Sequence, residues 1–359
     1  MRSFRSYLAV ACMAFAVGCG ISKSGDDSPP AKPIGKVVAI ESPLGLPPVP
    51  VPASNPETEE TIALGRRLFY EKKLSADTSL SCASCHNPLI FFSDGRKHSI
   101  GVGGKIGVRN APSVINAAFT PRQFWDGRAS SLEEQAGGPM SNAVEMNQSH
   151  EVTVSKLQAD ASYRADFERA FGPGPVTIGK IKEALASFER TLISGGSPFD
   201  RYEYGADKSA LNPAAIRGLA IFRDEKKGNC ASCHTIGEKY ALFTDGKFHN
   251  IGVGVDDEGN LTDLGRYGES KLEIEKGAFK TPTLRNIAKS APYMHDGSLK
   301  TLSDVADYYA GGGNSNPYLD KRIKTMHISG PERSDLVAFL ESLTGDMPPN
   351  AGPPVGPTK

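Results

Sequence analysis

The chain has 359 residues, 39% of them hydrophobic and 23% charged, which is a globular composition and excludes wholesale disorder. Lys plus Arg number 41 and Asp plus Glu 41, so there is no basic excess to meet nucleic-acid phosphates or an anionic membrane surface. With 38 glycines and 26 prolines, short elements and long loops are expected. At about 100–200 residues per domain the length suggests two domains.

The N-terminus reads as an export signal. Arg2 and Arg5 precede a twelve-residue apolar run, Tyr7 to Gly18, too short to span a bilayer. The run ends in Ala16-Val17-Gly18-Cys19, which resembles a bacterial lipobox, so residues 1–18 would be removed and Cys19 would carry a lipid anchor. Ordinary signal cleavage is the alternative, and either route leads to the periplasm. Residues 19–58 hold nine prolines between Ile21 and Pro56 and are expected to form a stiff tether; residues 348–359 are expected to be a disordered tail.

Setting aside Cys12 and Cys19, four cysteines remain, as Cys82-Ala83-Ser84-Cys85-His86 and Cys230-Ala231-Ser232-Cys233-His234. Each is C-x-x-C-H, the c-type haem attachment pattern: two thiols add to the haem vinyl groups and the adjacent His binds iron. A zinc site has no need of a His directly after each pair, and a thioredoxin-like motif occurs once. Two covalent haems are therefore expected, and no disulfides.

The motifs sit in an internal repeat. Phe92–Gly103 matches Phe243–Gly254, Pro112–Asn116 matches Pro282–Asn286, and Trp125-Asp126-Gly127 matches His295-Asp296-Gly297. The expected fold is all-α: two fused cytochrome-c-like domains, about 59–200 and 201–347, with long irregular loops and haems near the domain interface. Ile178, Ile181, Leu185, Phe188 and Leu192 share a helical face. Asn212-Pro213 reads as a helix start, and Thr301-x-x-Asp304 and Ser329-x-x-Glu332 as capping boxes.

The halves differ where a sixth iron ligand would come from. Leu302, Val305 and Tyr309 fall on one helical face after Asp296, and the position corresponding to Tyr309 in the first half is Pro139, which cannot bind iron. Tyr309 is thus either an iron ligand or a core tyrosine. Gln135 and Glu145 follow Trp125; a carboxylate beside an open iron position can move peroxide protons, although Glu145 can equally be a surface residue. Trp125 is a redox relay or a packing residue. Either His98 or His249 could be a sixth ligand, but their equivalent repeat positions favour a shared structural task such as a propionate hydrogen bond.

These motifs, with Gln123-Phe124-Trp125-Asp126-Gly127-Arg128 and Pro292-Tyr293-Met294-His295-Asp296-Gly297, resemble the bacterial di-haem cytochrome c peroxidase and MauG family over about residues 60–345. The resemblance implies a peroxide site at the His86 haem, an electron-relaying haem on His234, a distal acid–base pair in Glu145 and Gln135, and an inter-haem role for Trp125. It also implies a calcium ion held by Asn110 and the carbonyls of Ser290 and Pro292, as suits a hard cation. Where such peroxidases often carry a distal His, this chain has Val102, implying a five-coordinate first haem that needs no reductive activation. Tyr309 falls where the peroxidases use Met and MauG-like members use Tyr, with Met294 and Met326 as sulfur alternatives. The partners implied are hydrogen peroxide and an oxidised partner protein, with a possible homodimer; the alternatives are a peroxidase fed by a small cytochrome or copper protein, or a non-enzymatic di-haem electron carrier.

Overall fold

A computed structural model describes residues 32–354. The export signal and Cys19 lie outside the described residues. Among the described residues no helix is long and apolar enough to cross a membrane.

The helices are α1 (Glu59–Phe69), α2 (Cys82–Cys85), α3 (Leu132–Ser141), α4 (His150–Ala159), α5 (Ala161–Phe171), α6 (Ile178–Arg190), α7 (Pro198–Glu203), α8 (Pro213–Arg223), α9 (Tyr267–Ser270), α10 (Leu302–Gly311) and α11 (Gly330–Glu341). The all-α expectation needs one correction. Strands β1 (Phe248–His249) and β2 (Phe279–Lys280) pair antiparallel, with Phe248 opposite Lys280 and His249 opposite Phe279. Two residues per strand carry too little pattern to be read from sequence.

Each half is built on one crossed helix pair. In the first, Thr58 caps α1 in a capping box, Glu59 and Glu60 occupy its first turn, and Arg66 and Arg67 its last, all favourable to the helix dipole. In the second, Asn212 caps α8 with Pro213 at its first position, and Ser329 with Glu332 forms the capping box of α11. Helices α1 and α6 cross at Gly65, where a Cβ would collide with the Ala184 carbonyl; α8 and α11 cross at Gly218, where a Cβ would collide with the Asp335 carbonyl. Glycine is required at both crossings because backbone meets backbone.

The two cores repeat as well. Phe69, Phe92 and Phe188 pack in the first, with Phe69 and Phe188 ring centroids 5.3 Å apart; Phe222, Phe243 and Phe339 pack in the second, with Phe222 and Phe339 4.9 Å apart. The repeat extends to backbone conformation. Phe92 and Phe243 (φ 56° and 51°), Asn116 and Asn286 (63° and 60°) and Phe124 and Met294 (66° and 71°) are all left-handed, a region that non-glycine residues seldom occupy.

The proline-rich segment is not a free tether over its described part. Ile34 N–H donates to the Ala170 carbonyl on α5 (2.9 Å), and Val38 N–H to the Glu57 carbonyl (2.9 Å). Further on, Leu46 is buried, and the Gly45 carbonyl accepts from Ala241 N–H and from Arg285. The segment is a strap bonded to both halves. The tail likewise packs as far as it is described: Ala351 is buried and accepts from Tyr70 Oη, and the Gly352 carbonyl accepts from Arg66.

Candidate functional site

Both C-x-x-C-H motifs form a single tight turn, Cys82–Cys85 as α2 and Cys230–Ser232 as a 3₁₀ turn, and His follows each. His86 Nδ1 lies 3.2 Å from the Phe92 carbonyl, and His234 Nδ1 lies 2.8 Å from the Phe243 carbonyl. A carbonyl only accepts, so Nδ1 carries the proton and Nε2 keeps its lone pair. Burial lowers the pKa of both imidazoles, which keeps them neutral, as an iron ligand must be. The left-handed turn at each Phe is what aims its carbonyl at the ring.

The Cys82, Cys85, Cys230 and Cys233 thiols are free. Burial pushes the Cys82 and Cys230 thiols up to about 12, the opposite of the depressed values of redox-active thiols. Around the second motif an open cleft is lined by Cys230, Cys233, His234 and Tyr309, and from the first half by Asn110 and Trp125. Free thiols, imidazoles fixed by one nitrogen and a largely apolar cleft fit covalently attached haem.

Tyr309 enters this cleft from α10 along the face that also carries Leu302 and Val305. Burial raises its phenol pKa. Met294 and Met326 line the same cleft, so all three proposed sixth ligands face one space.

Glu145 lies in the turn after α3. It is half-buried, and its charge bears on both Cys82 and Cys85. Burial raises its pKa, while Arg128 and a 2.6 Å hydrogen bond from Asn142 Nδ2 to Oε1 oppose the rise. Its backbone carbonyl accepts from Val102 N–H at 2.9 Å, so the loop holding Val102 is pinned to Glu145 itself. Gln135 lies half-buried on α3, one turn before Pro139.

Trp125 is held at the junction of the halves. Its Nε1–H donates to the Asn110 carbonyl (2.9 Å), and Asn110 N–H donates to the His295 carbonyl (2.7 Å). His295 meets Trp125 edge-on with centroids 6.5 Å apart and stacks on Phe279 at 3.6 Å; burial lowers its pKa to about 4. Asn110, Ser290 and Pro292 line one side of the cleft. Among the described residues, Asn110 Oδ1 and the Ser290 and Pro292 carbonyls receive no hydrogen bond, an oxygen-only set that suits a hard cation.

His98 and His249 have different protein neighbours. His249 is clamped between Asp245 (2.9 Å) and Asp320 (2.8 Å), with Arg322 against it. In the first half, Asp94 bonds Ser99 instead (2.7 Å), and the buried Nε2 of His98 has no partner among the described residues. Sequence reading also missed the Phe92 and Phe243 carbonyls, Arg128, and Arg109, which pairs with Asp126 in its own half and with Asp263 in the other. Arg128 lay in the quoted motif; the carbonyls have no signal beyond the repeat itself.

Comparison with known proteins agrees with this geometry. A family profile described as di-haem cytochrome c peroxidase matches residues 59–208, and one for cytochrome c matches residues 215–344. The chain is 42% identical to the methylamine utilization protein MauG of Methylorubrum extorquens, over 83% of this chain and 82% of that protein. It is 34% identical to a cytochrome c551 peroxidase of Nitrosomonas europaea, over 95% of this chain and 92% of that protein. Among solved structures, a MauG-like protein associated with microbial copper homeostasis superposes with a TM-score of 0.76 at 34% identity, covering 85% of this chain and 95% of that one. The chain therefore belongs to the di-haem cytochrome c peroxidase and MauG family and is a di-haem peroxidase.

Proposed function

We propose that this peroxidase is MauG-like: it reduces hydrogen peroxide at the N-terminal haem and oxidises a partner protein through the second. Haem c supplies iron that binds peroxide and accepts or gives electrons. The chain's own residues do the rest. Glu145, whose charge bears on Cys82 and Cys85, would take a proton from bound peroxide and return it to the leaving oxygen. Burial keeps its pKa raised toward the working range of such a base, and the Asn142 bond to Oε1 leaves Oε2 to do the work. Gln135 orients the peroxide. Trp125, fixed by Asn110, carries electrons between the halves. Asn110 Oδ1 and the Ser290 and Pro292 carbonyls would hold a calcium ion at that junction.

The observation that carries the MauG-like reading is Tyr309 in the His234 cleft. A phenolate oxygen is a harder ligand than a thioether and lowers the potential, which suits storing oxidising equivalents better than accepting electrons from a cytochrome. Val102, bonded to Glu145 and carrying no ligand atom, supports an open first haem. Met294 and Met326, which line the same cleft, favour the second reading, a peroxidase fed by a small cytochrome or copper protein. On its N-terminal sequence the chain works in the periplasm, lipid-anchored at Cys19.

Absorption and EPR spectra of the ferric holoprotein separate the readings. One high-spin and one low-spin haem, both perturbed by one equivalent of peroxide without pre-reduction, support the MauG-like case. Two low-spin haems inert until half-reduced return the protein to the cytochrome-fed peroxidases, with His98 as the concealed ligand.

A further inference from the structure

The contacts between the halves are related by the repeat. Aligned on Pro112 with Pro282 and on Trp125 with His295, Asn110 corresponds to Lys280, and Ser290 and Pro292 correspond to Thr120 and Arg122. The structure bears out that correspondence bond by bond. Asn110 N–H donates to the His295 carbonyl at 2.7 Å; Lys280 N–H donates to the Trp125 carbonyl at 2.8 Å. Each half thus offers the same backbone donor to the same backbone acceptor of the other, an exchange with two-fold character.

The side chains complete the pattern with one difference. On one side, Asn110, Ser290 and Pro292 all line the cleft, and Asn110 Oδ1 and the Ser290 and Pro292 carbonyls accept nothing from the described residues. On the other, the Lys280 ammonium reaches across the junction and donates to the Arg122 carbonyl at 2.9 Å, the counterpart of the Pro292 carbonyl. Lys280 also lines the cleft of the second haem, beside Trp125. An ammonium has three donors and no acceptor, so it can only serve oxygens here. Burial lowers its pKa to about 8, and Asp126 favours its charged form.

We propose that the Lys280 ammonium is a tethered cation occupying the repeat-related counterpart of the Asn110 site, a positioning residue that ties the carbonyl of Arg122 to the second half and so fixes Trp125 between the haems. The molecule then has two cation positions around the Trp125–His295 pair: one filled by its own lysine, the other open to a free ion. The analogy with calcium rests on the calcium reading above; the bridging role of Lys280 does not.

The test uses the holoprotein. Lys280→Met keeps the backbone bond to Trp125 and removes the charge. Lys280→Asn removes the charge and recreates the Asn110 arrangement opposite the Thr120 and Arg122 carbonyls, which each retain a lone pair. Thermal midpoints are measured in EGTA and in excess calcium, with calcium content per chain and the reduction potential of the second haem. In EGTA both variants are expected to melt about 2–4 °C below wild type, the shift given by one lost hydrogen-bonded contact in a domain of this size. The potential of the second haem should fall in Lys280→Met, because a nearby cation favours the reduced state. Excess calcium should restore Lys280→Asn but not Lys280→Met, with one more calcium bound per chain than in wild type. A Lys280→Met variant with unchanged midpoint and potential overturns the proposal, as does a Lys280→Asn variant that takes up no additional calcium. Should Lys280→Met fail to fold, Lys280→Asn decides alone: folding that depends on calcium supports the proposal, and failure with or without calcium overturns it. Wild type that is indifferent to EGTA removes the calcium reading and leaves the Lys280→Met comparison standing.

Discussion

The two halves share a helix pair, a Phe triad and a carbonyl that orients the iron-binding His, yet they are specialised in opposite ways. The first half has a carboxylate, Glu145, whose charge bears on the Cys82 and Cys85 thiols, and has Pro139 where the second has Tyr309. The second lines its cleft with a phenol and two thioethers. On the proposed reading, a shared scaffold would hold each haem, and what differs is the residue available as a sixth ligand. The supporting shells differ too. Ile115, buried in the first half, corresponds to Arg285, buried in the second against Asp200 and the strap carbonyl of Gly45.

The sharpest way to break the comparison is to remove the carboxylate. Glu145→Gln should lower peroxide turnover by about 10²- to 10⁴-fold, the usual worth of a general acid–base, and leave the second haem's spectrum unchanged. Stopped-flow peroxide kinetics with absorption spectra check both parts. Unchanged turnover would remove Glu145 from the mechanism.

The next effect is on stability. The Arg285 and Asp200 side chains are 1% and 0% exposed, and their two hydrogen bonds are both 2.8 Å long. Replacing Arg285 by the Ile of the first half leaves Asp200 buried with only its Ser197 contacts, which should cost about 3–5 kcal/mol. Denaturant unfolding measures the loss. Adding Asp200→Asn to Arg285→Ile should recover part of it, because the uncompensated charge is gone.

The first half alone carries a buried acidic cluster, and this gives the halves different responses to pH. Burial raises Glu57 and Glu183 to about 7 and Glu189 to about 8, from an ordinary 4.5, with Arg190 offsetting part of the effect at Glu57 and Glu189. The folded state therefore holds protons that the unfolded chain releases above about pH 4.5. Stability is greatest below that value and falls as pH rises through 7 to 8. The first half should lose on the order of 1 kcal/mol per group between about pH 5 and 8, and Glu189→Gln should flatten the slope. Unfolding curves followed at the first haem's absorption band across that range provide the check.

What was legible in the sequence was whatever depends on side-chain identity at fixed spacing: the two haem motifs, the repeat, the caps of α8, α10 and α11, and the face of α10 that carries Tyr309. What escaped depends on backbone atoms or on distant partners. The strap holds on through the carbonyls of Gly45 and Leu44, which no residue type announces, so its prolines read as a tether. His98 and His249 sit in similar local sequence, and Asp320 and Arg322, far along the chain, help set them apart. The Phe92 and Phe243 carbonyls act through a backbone twist that a hydrophobic residue gives no reason to expect.

The smallest effect probes the junction where the halves meet. Trp125→Phe keeps an aromatic ring against His295 and deletes the Nε1 donor to the Asn110 carbonyl. The loss of that hydrogen bond should cost about 0.5–1.5 kcal/mol, since the freed carbonyl still has a second means of satisfaction if a cation is bound nearby. A relay role and a packing role then separate by kinetics. If Trp125 only packs, the variant should equilibrate electrons between the haems at the wild-type rate once stability is matched. If it carries the electron, Phe, which is far harder to oxidise than Trp, should slow that step while leaving the initial reaction with peroxide at Glu145 untouched. Flash or stopped-flow reduction of one haem, followed by the appearance of charge at the other, reads the step directly, and the two halves then differ in a rate rather than only in their ligands.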